Sequence, residues 1–310
     1  GYIIETLLSH GKKHNDQDSI DIAILTAKWL LTLQKEDGSF FSNQGHFSKL
    51  NKTPKIFDTG QDLFGLVEVF KIAKEDKYLN SAKKGAYWLV NNYSNNSFDN
   101  KFTYTNQTKT YYLQVCWAIF VVAIETKDDF LFKKALKISE NIISQNFDEI
   151  FFKNADFGNG KQFLHLIGYV IRSLFEIGKL TKIQKYSNIG LRILNLLIDD
   201  FYIKGQMAGD YNSNFVGDYS YRCLTCEAQL ACCSYLAYKI SNKDIYKKFV
   251  YDVNSELCKQ QNVNTSKIGL SGIQGSVPFW KYYEPLKFPN WPVKYFADSL
   301  LCQLDLVELK

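Results

Sequence analysis

The sequence predicts an all-α fold, an α/α toroid of repeated helical hairpins. Three observations point to it. Apolar residues recur at helical spacing in one segment after another, connections alternate between short and long, and a unit of about 50–65 residues returns down the chain. Convincing strands are absent: runs of Val, Ile and Tyr lack clean alternation, and Gly and Pro fall between the helical segments.

The helical spacing begins in roughly 20–34 (Ile22, Leu25, Trp29, Leu33), continues in 58–75 (Leu63, Leu66, Val67, Phe70) and returns in 79–92 (Leu79, Ala82, Ala86, Leu89). It recurs over about 110–126, 129–146, 162–178, 182–200, 219–240, 244–261 and 292–309. Short turns such as Lys127-Asp128 and Ser241-Asn242-Lys243 join the helices in pairs. Connections of about fifteen to thirty residues precede the helices starting near 58, 110, 162, 219 and 292, and such lengths are uncommon unless they serve a purpose. Asp76-Lys77-Tyr78-Leu79, Asp128-Asp129-Phe130-Leu131 and Lys243-Asp244-Ile245-Tyr246 hold equivalent places in successive units. A closed ring is expected rather than an open solenoid, because every second helix is apolar nearly all round, as an inner helix should be. With the short turns on one end, the long loops share the other and feed the N-termini of the inner helices. Their N–H groups and dipoles then favour anionic groups at that mouth.

Composition sets the class. The 310 residues are 46% hydrophobic and 22% charged, with no apolar run long enough to span a bilayer. The most apolar stretch, Trp117 to Ile124, reads as a buried helix. A net charge of +5 is scattered, without the basic block that nucleic-acid binding needs. Seven cysteines, several inside apolar helical patterns, suit a reduced, cytoplasmic protein rather than a disulfide scaffold. Cys223-x-x-Cys226 lacks a second pair of metal ligands and reads as packed helix cysteines. One domain over 1–310 is expected. The chain begins at Gly1 rather than Met, which leaves a missing N-terminal part open.

The chemistry-bearing residues gather at the predicted mouth. His165, Tyr169 and Arg172, at i, i+4 and i+7, share one helix face, an arrangement suited to proton transfer beside a bound carboxylate or phosphate. The plainer alternative is a core histidine satisfied by a neighbour, with Arg172 pairing Glu176. Asp58 and Asp62 lie one turn apart at a helix start; they either cap it, with Thr59, or supply a carboxylate for glycoside hydrolysis, with Glu227, Asp210 or Asp218 as partner. Arg222 and Lys294 either bind anions or pair with nearby acids. Gln61, Tyr111 and Trp117 lie at other helix starts. Trp280, Tyr282, Tyr283 and Trp291 sit in the longest loop, where stacking on sugar rings is a fair use of aromatics. No P-loop, dinucleotide fingerprint, HExxH or serine elbow is present, so no cofactor and no metal is called for.

At these residues the chain resembles bacterial proteins of the prenyltransferase/squalene-oxidase-repeat and polysaccharide-biosynthesis type. Phe163 to Glu176 is similar to a segment LTHTIxYxxRGLLE, keeping His165, Tyr169, Arg172 and Glu176. Cys223 to Ala231 is similar to CLTGNAQxA, with Cys226-Glu227 in place of Gly-Asn, so a role for that Asn does not carry over. Ser271 to Leu300 is similar to GGIKGSYPIWGxYxxYxYPNWAAKFFxDAL, keeping Trp280, Tyr283, Asn290, Trp291, Lys294 and Asp298. The resemblance covers about residue 58 to the C-terminus. It implies an α/α toroid, a complete or incomplete six-hairpin barrel, working in the synthesis or modification of a surface polysaccharide.

The function expected from both lines is an enzyme acting on an anionic, uronic-acid-type polysaccharide or its lipid-linked precursor. Its reaction would be epimerase- or lyase-like, with His165 and Tyr169 as acid and base and Arg172 or Arg222 on the carboxylate. Hydrolysis through Asp58 or Glu227 is the near rival. A terpene-cyclase-like isoprenoid enzyme, which needs a dry aromatic cavity and an Asp donor, and a non-catalytic glycan- or partner-binding ring are the others.

Overall fold

The structure is a computed structural model and describes residues 1–41, 53–148, 151–261 and 271–308. The chain divides into two compact units, Gly1–Phe147 and Asp148–Lys310.

Unit 1 holds α1 (Tyr2–His14), α2 (Gln17–Leu33), α3 (Ile56–Ala73), α4 (Asp76–Asn91), α5 (Leu113–Glu125) and α6 (Asp129–Asn146), with a small ribbon of β1 (Tyr93–Ser94) on β2 (Ser97–Phe98). Unit 2 holds α7 (Leu164–Thr181), α8 (Gln184–Lys204), α9 (Leu224–Ser241), α10 (Asp244–Gln260) and α11 (Asn290–Glu308). Between these helices run β3 (Gln162–Phe163), β4 (Asp210–Tyr211), β5 (Gly217–Asp218), β6 (Arg222–Cys223) and β7 (Ser276–Val277). No helix among the described residues is long and apolar enough to cross a membrane.

The hairpins α1/α2, α3/α4, α5/α6, α7/α8 and α9/α10 share one turn chemistry. Each closes through a single left-handed residue, Asn15, Lys74, Lys127, Lys182 or Asn242, with φ of 52–62°. An extended N-cap then starts the returning helix: Asp16, Glu75, Asp128, Ile183 or Lys243. Asn accepts the left-handed region readily, whereas each lysine pays roughly 1–2 kcal/mol there. Asp128 offsets part of this by accepting from the Leu131 N–H at 3.1 Å. The tetrapeptides that recur in the sequence are therefore the starts of α4, α6 and α10.

Burial follows the pattern expected for alternate helices. In α5 every residue from Leu113 to Phe120 is buried, and α3, α7 and α9 are buried over most of their lengths. Such helices pack against one another within each unit, α3 on α5 and α7 on α9, with α11 against α9.

Several expectations need correction. The spacing that marks α2 as a helix does not mark its buried face: of that stripe Leu33 is buried but Ile22, Leu25 and Trp29 are exposed, and Ala23, Ala27 and Leu30 are buried instead. Small residues let α1 and α2 pack closely, so the buried face is the one with less apolar bulk. Helix α1 was not anticipated. Neither Asp58 nor Thr59 caps α3, which starts earlier, at Ile56; the Thr59 hydroxyl instead accepts from the Phe40 N–H at 3.3 Å. The helices expected from 162 and 219 start at 164 and 224, because the preceding dipeptides are strands. The final residue of the helix expected to 309 lies outside the described residues.

Candidate functional site

Two ribbons fix the starts of α7 and α9. Gln162 and Phe163 pair antiparallel with Tyr211 and Asp210, and the Leu164 N–H donates to the Gly209 carbonyl at 3.1 Å. Arg222 and Cys223 pair with Val277 and Ser276. The long loops are thus stitched to the residue before each helix, and the first turns inherit a defined position. Glycine is required at 209, where an added Cβ would lie 2.2 Å from the Tyr221 ring.

His165 sits in the first turn of α7, and its Nδ1 lies 2.9 Å from Gln229 Oε1 on α9. An amide oxygen only accepts, so Nδ1 carries the proton and Nε2 keeps the lone pair. Gly168, one turn on, makes room for this contact: a Cβ there would meet Gln229 Oε1 at 2.8 Å. Aromatic rings close around the imidazole, with centroids of Tyr169 at 4.7 Å, Tyr283 at 5.5 Å and Tyr295 at 6.4 Å. Burial among them pushes the His165 pKa down to about 4, against a smaller opposing effect of Gln229. His165 is therefore a neutral imidazole at physiological pH. Burial likewise holds the hydroxyls of Tyr283 and Tyr295 well above their ordinary range.

Charged side chains around this core are matched with partners. Arg222 grips Glu227 through both Nε (2.8 Å) and Nη2 (2.6 Å), and Glu227 is only 2% exposed. Burial raises the Glu227 pKa and Arg222 opposes it. Lys294 is buried, 2.6 Å from Asp298 and 4.4 Å from the Tyr295 ring centre. Arg172 Nε stands 3.9 Å from Glu176 Oε1, an ion-pair distance too long for a hydrogen bond. Asp210 accepts from the Tyr221 hydroxyl at 2.8 Å, with Lys161 at 3.6 Å from it and 3.7 Å from Asp218. The thiols of Cys223 and Cys226 are buried, which pushes Cys223 up to about 12; the Cys226 thiol is spent on the Leu164 carbonyl. Among the described residues no three His, Cys, Asp or Glu side chains gather as metal ligands.

The aromatic loop splits in two. Tyr283 turns inward against His165, while Trp280, at 70% exposure, and Tyr282 face solvent. Tyr282 stacks on Phe163 at 5.6 Å, tying the loop to the strand before α7. Asn290 and Trp291, at the start of α11, are exposed.

The remaining expected residues belong to unit 1. Asp58 accepts from the Tyr104 hydroxyl at 2.6 and 2.7 Å, and Asp62 from the Gly1 amino group at 2.9 Å. Gln61 is buried, its Oε1 taking a long 3.4 Å contact from Gln114. Tyr111 stacks on Tyr112 at 4.9 Å, and Trp117 packs on Phe64 at 4.3 Å. Glu227, the expected partner of Asp58, is instead committed to Arg222.

Sequence reasoning missed Gln229 and Tyr295. Each had a signal: Gln229 is a polar residue inside the apolar run of α9, and Tyr295 follows Lys294 in the last motif.

No family profile and no curated protein matches the chain, but solved structures do. It is similar to an unsaturated glucuronyl hydrolase specific for heparin (TM-score 0.73, 14% identity, 98% of this chain and 85% of that one). It is equally similar to a cellobiose 2-epimerase from Bacillus thermoamylovorans B4167 (0.73, 13%, 97% and 86%). A polysaccharide lyase follows (0.68, 10%, 99% and 90%). The fold is that of α/α-toroid carbohydrate-active enzymes. At these identities the likeness is one of fold.

Proposed function

We propose that the protein is an enzyme acting on an anionic, uronic-acid-containing glycan by proton transfer, epimerase- or lyase-like, with the site at the starts of α7 and α9. One observation carries the reading: Gln229 fixes the His165 tautomer whose Nε2 is a free base, on the same helix face as Tyr169 and Arg172. The fold neighbours include an epimerase, a glucuronyl hydrolase and a lyase, which supports a glycan as substrate.

In this reading His165 Nε2 takes the proton from the carbon next to the uronate carboxylate. The C–H electron pair passes into the carboxylate, and Arg172 faces the charge that develops. Epimerisation is completed when water returns a proton to the other ring face, since Tyr169 stands on the same side as His165, 4.7 Å away. Elimination is completed when the electron pair instead expels the glycosidic oxygen, which Tyr169 protonates. Arg222 holds Glu227 in place beside this centre rather than binding substrate. Trp280 and Trp291 supply stacking surfaces for neighbouring sugars. Seven free cysteines support a reduced, cytoplasmic setting, and the resemblance to polysaccharide-biosynthesis proteins supports a surface polysaccharide or its lipid-linked precursor as substrate.

Turnover on a panel of uronate-containing and neutral polysaccharides tests this. Wild-type protein is expected to act on the acidic ones alone, and His165→Asn, which keeps a donor for Gln229 but loses the Nε2 base, to lose on the order of 10²–10⁴ of the rate. Full activity in His165→Asn overturns the proposal.

A further inference from the structure

The far ends of the same helices carry a different feature. The last turns of α7 and α9 and the first turn of α8 line a solvent-open cavity of about 590 Å³, within the range of roughly 300–1,000 Å³ typical of small-molecule sites. Lys179, on its wall, lies about 21 Å of helix rise from His165. The lysines of the cavity are therefore remote from His165, and the wall meets the proposed catalytic stripe only where Glu176 faces Arg172.

We propose that this cavity binds a single-chain amphiphilic anion, an apolar tail bearing a phosphate-type head. Its apolar wall is formed by Phe175, Tyr235, Leu236 and Ile240. Lys179, Lys182 and Lys239 supply the charge, and among the described residues none of the three forms an ion pair; Lys239 lies only over the Tyr235 ring, at 6.0 Å. The one acid of the wall, Glu176, already faces Arg172. Helix α8 adds to the field. It starts on Ile183, which cannot cap it, and its first turn carries no acid, so its positive end stands beside the wall residues Gln184 and Ser187. Three compact ammonium charges suit a phosphate, which carries more than one negative charge and accepts from several donors. The apolar wall excludes inorganic phosphate as the preferred ligand, since it would leave that surface uncovered.

The hairpin turn holds this arrangement. Lys182 is the left-handed residue that closes α7/α8. Gly178 brings the helices together so closely that a Cβ would meet Ser187 Oγ at 2.3 Å. Lys74 and Lys127 hold the same left-handed place in other hairpins, so the turn conformation positions Lys182 and is not itself a sign of a ligand.

Titration calorimetry on the full chain tests the proposal with dodecyl phosphate, dodecyl maltoside and inorganic phosphate, each below micelle-forming concentrations. Dodecyl phosphate is expected to bind one per chain, at least tenfold more tightly than either comparator. Lys182→Glu combined with Lys239→Glu, both exposed and outside the proposed catalytic centre, should weaken it at least tenfold while leaving thermal unfolding unchanged. Equal binding of dodecyl maltoside, equal binding of inorganic phosphate, or undiminished affinity in the charge-reversed variant each overturns the proposal. Turnover on acidic polysaccharide in that same variant is expected to be intact, which separates this outcome from failure of the catalytic reading.

Discussion

At their starts, α7 and α9 are pinned by two-residue ribbons, and buried charges of this unit face opposite charges of the chain itself: Arg222 on Glu227 and, within α11, Lys294 on Asp298. At their far ends the same helices leave three lysines around an open cavity, held by two-residue turns and no ribbon. The difference teaches how one scaffold can offer surroundings suited to the two kinds of site proposed. Preorganised chemistry requires side chains locked by neighbours, as His165 is by Gln229 and three tyrosines. Reversible capture of a charged ligand requires the opposite, unmatched charge and unfilled volume.

The largest effect that would sharpen this contrast lies in the buried ion pair. Arg222→Met strands Glu227 without its partner and should destabilise the protein by about 3–5 kcal/mol, whereas adding Glu227→Leu should restore most of it. Denaturant unfolding of the single and double variants measures this, and additive losses would break the picture of a matched pair.

Next is the acid limb of stability. The folded pKa of His165, about 4, lies below the unfolded value near 6.5, so the unfolded chain takes up this proton first as pH falls. The stabilisation is fully present above pH 6.5 and is lost on descending to about 4, amounting to about 3 kcal/mol. Urea midpoints across that range should fall steeply in wild type and more gently in His165→Asn. An identical slope in both places the titration elsewhere.

Gly168→Ala comes third. Its Cβ would crowd Gln229 Oε1 and Cys226 Sγ, costing about 1–3 kcal/mol and loosening the imidazole contact. Histidine nitrogen shifts by NMR should show His165 leaving its single tautomer. The smallest stability effect belongs to Trp280→Ala: at 70% exposure it should change folding by less than about 0.5 kcal/mol yet weaken binding of an acidic oligosaccharide.

Much of the fold could be read from the sequence because long apolar periodicities report burial directly. The starts of α4, α6 and α10 were visible as repeated tetrapeptides. On α2 the spacing of Ile22, Leu25 and Trp29 announced the helix but not its covered face; only the partner helix decides that Ala23 and Ala27 turn inward. The ribbons were invisible for a different reason. Two-residue strands have no period, and their pairing, Arg222 with Val277, joins residues far apart in sequence. The stripe of His165, Tyr169 and Arg172 was legible as spacing. The partner that sets the histidine tautomer was not, because Gln229 lies on another helix. The cavity at the short-turn end had no signal at all, being a volume defined by three helix ends.

The central claim is that His165 is the base for proton abstraction from a uronate. The most direct test is solvent exchange: incubation of a uronate-containing polysaccharide with the enzyme in deuterated water, followed by NMR of the ring C–H next to the carboxylate. The account predicts loss of that proton signal with wild type, as deuterium replaces it or elimination removes the position, and its persistence with His165→Asn. A signal that persists with wild type on every acidic glycan tried, or vanishes equally fast with His165→Asn, contradicts it.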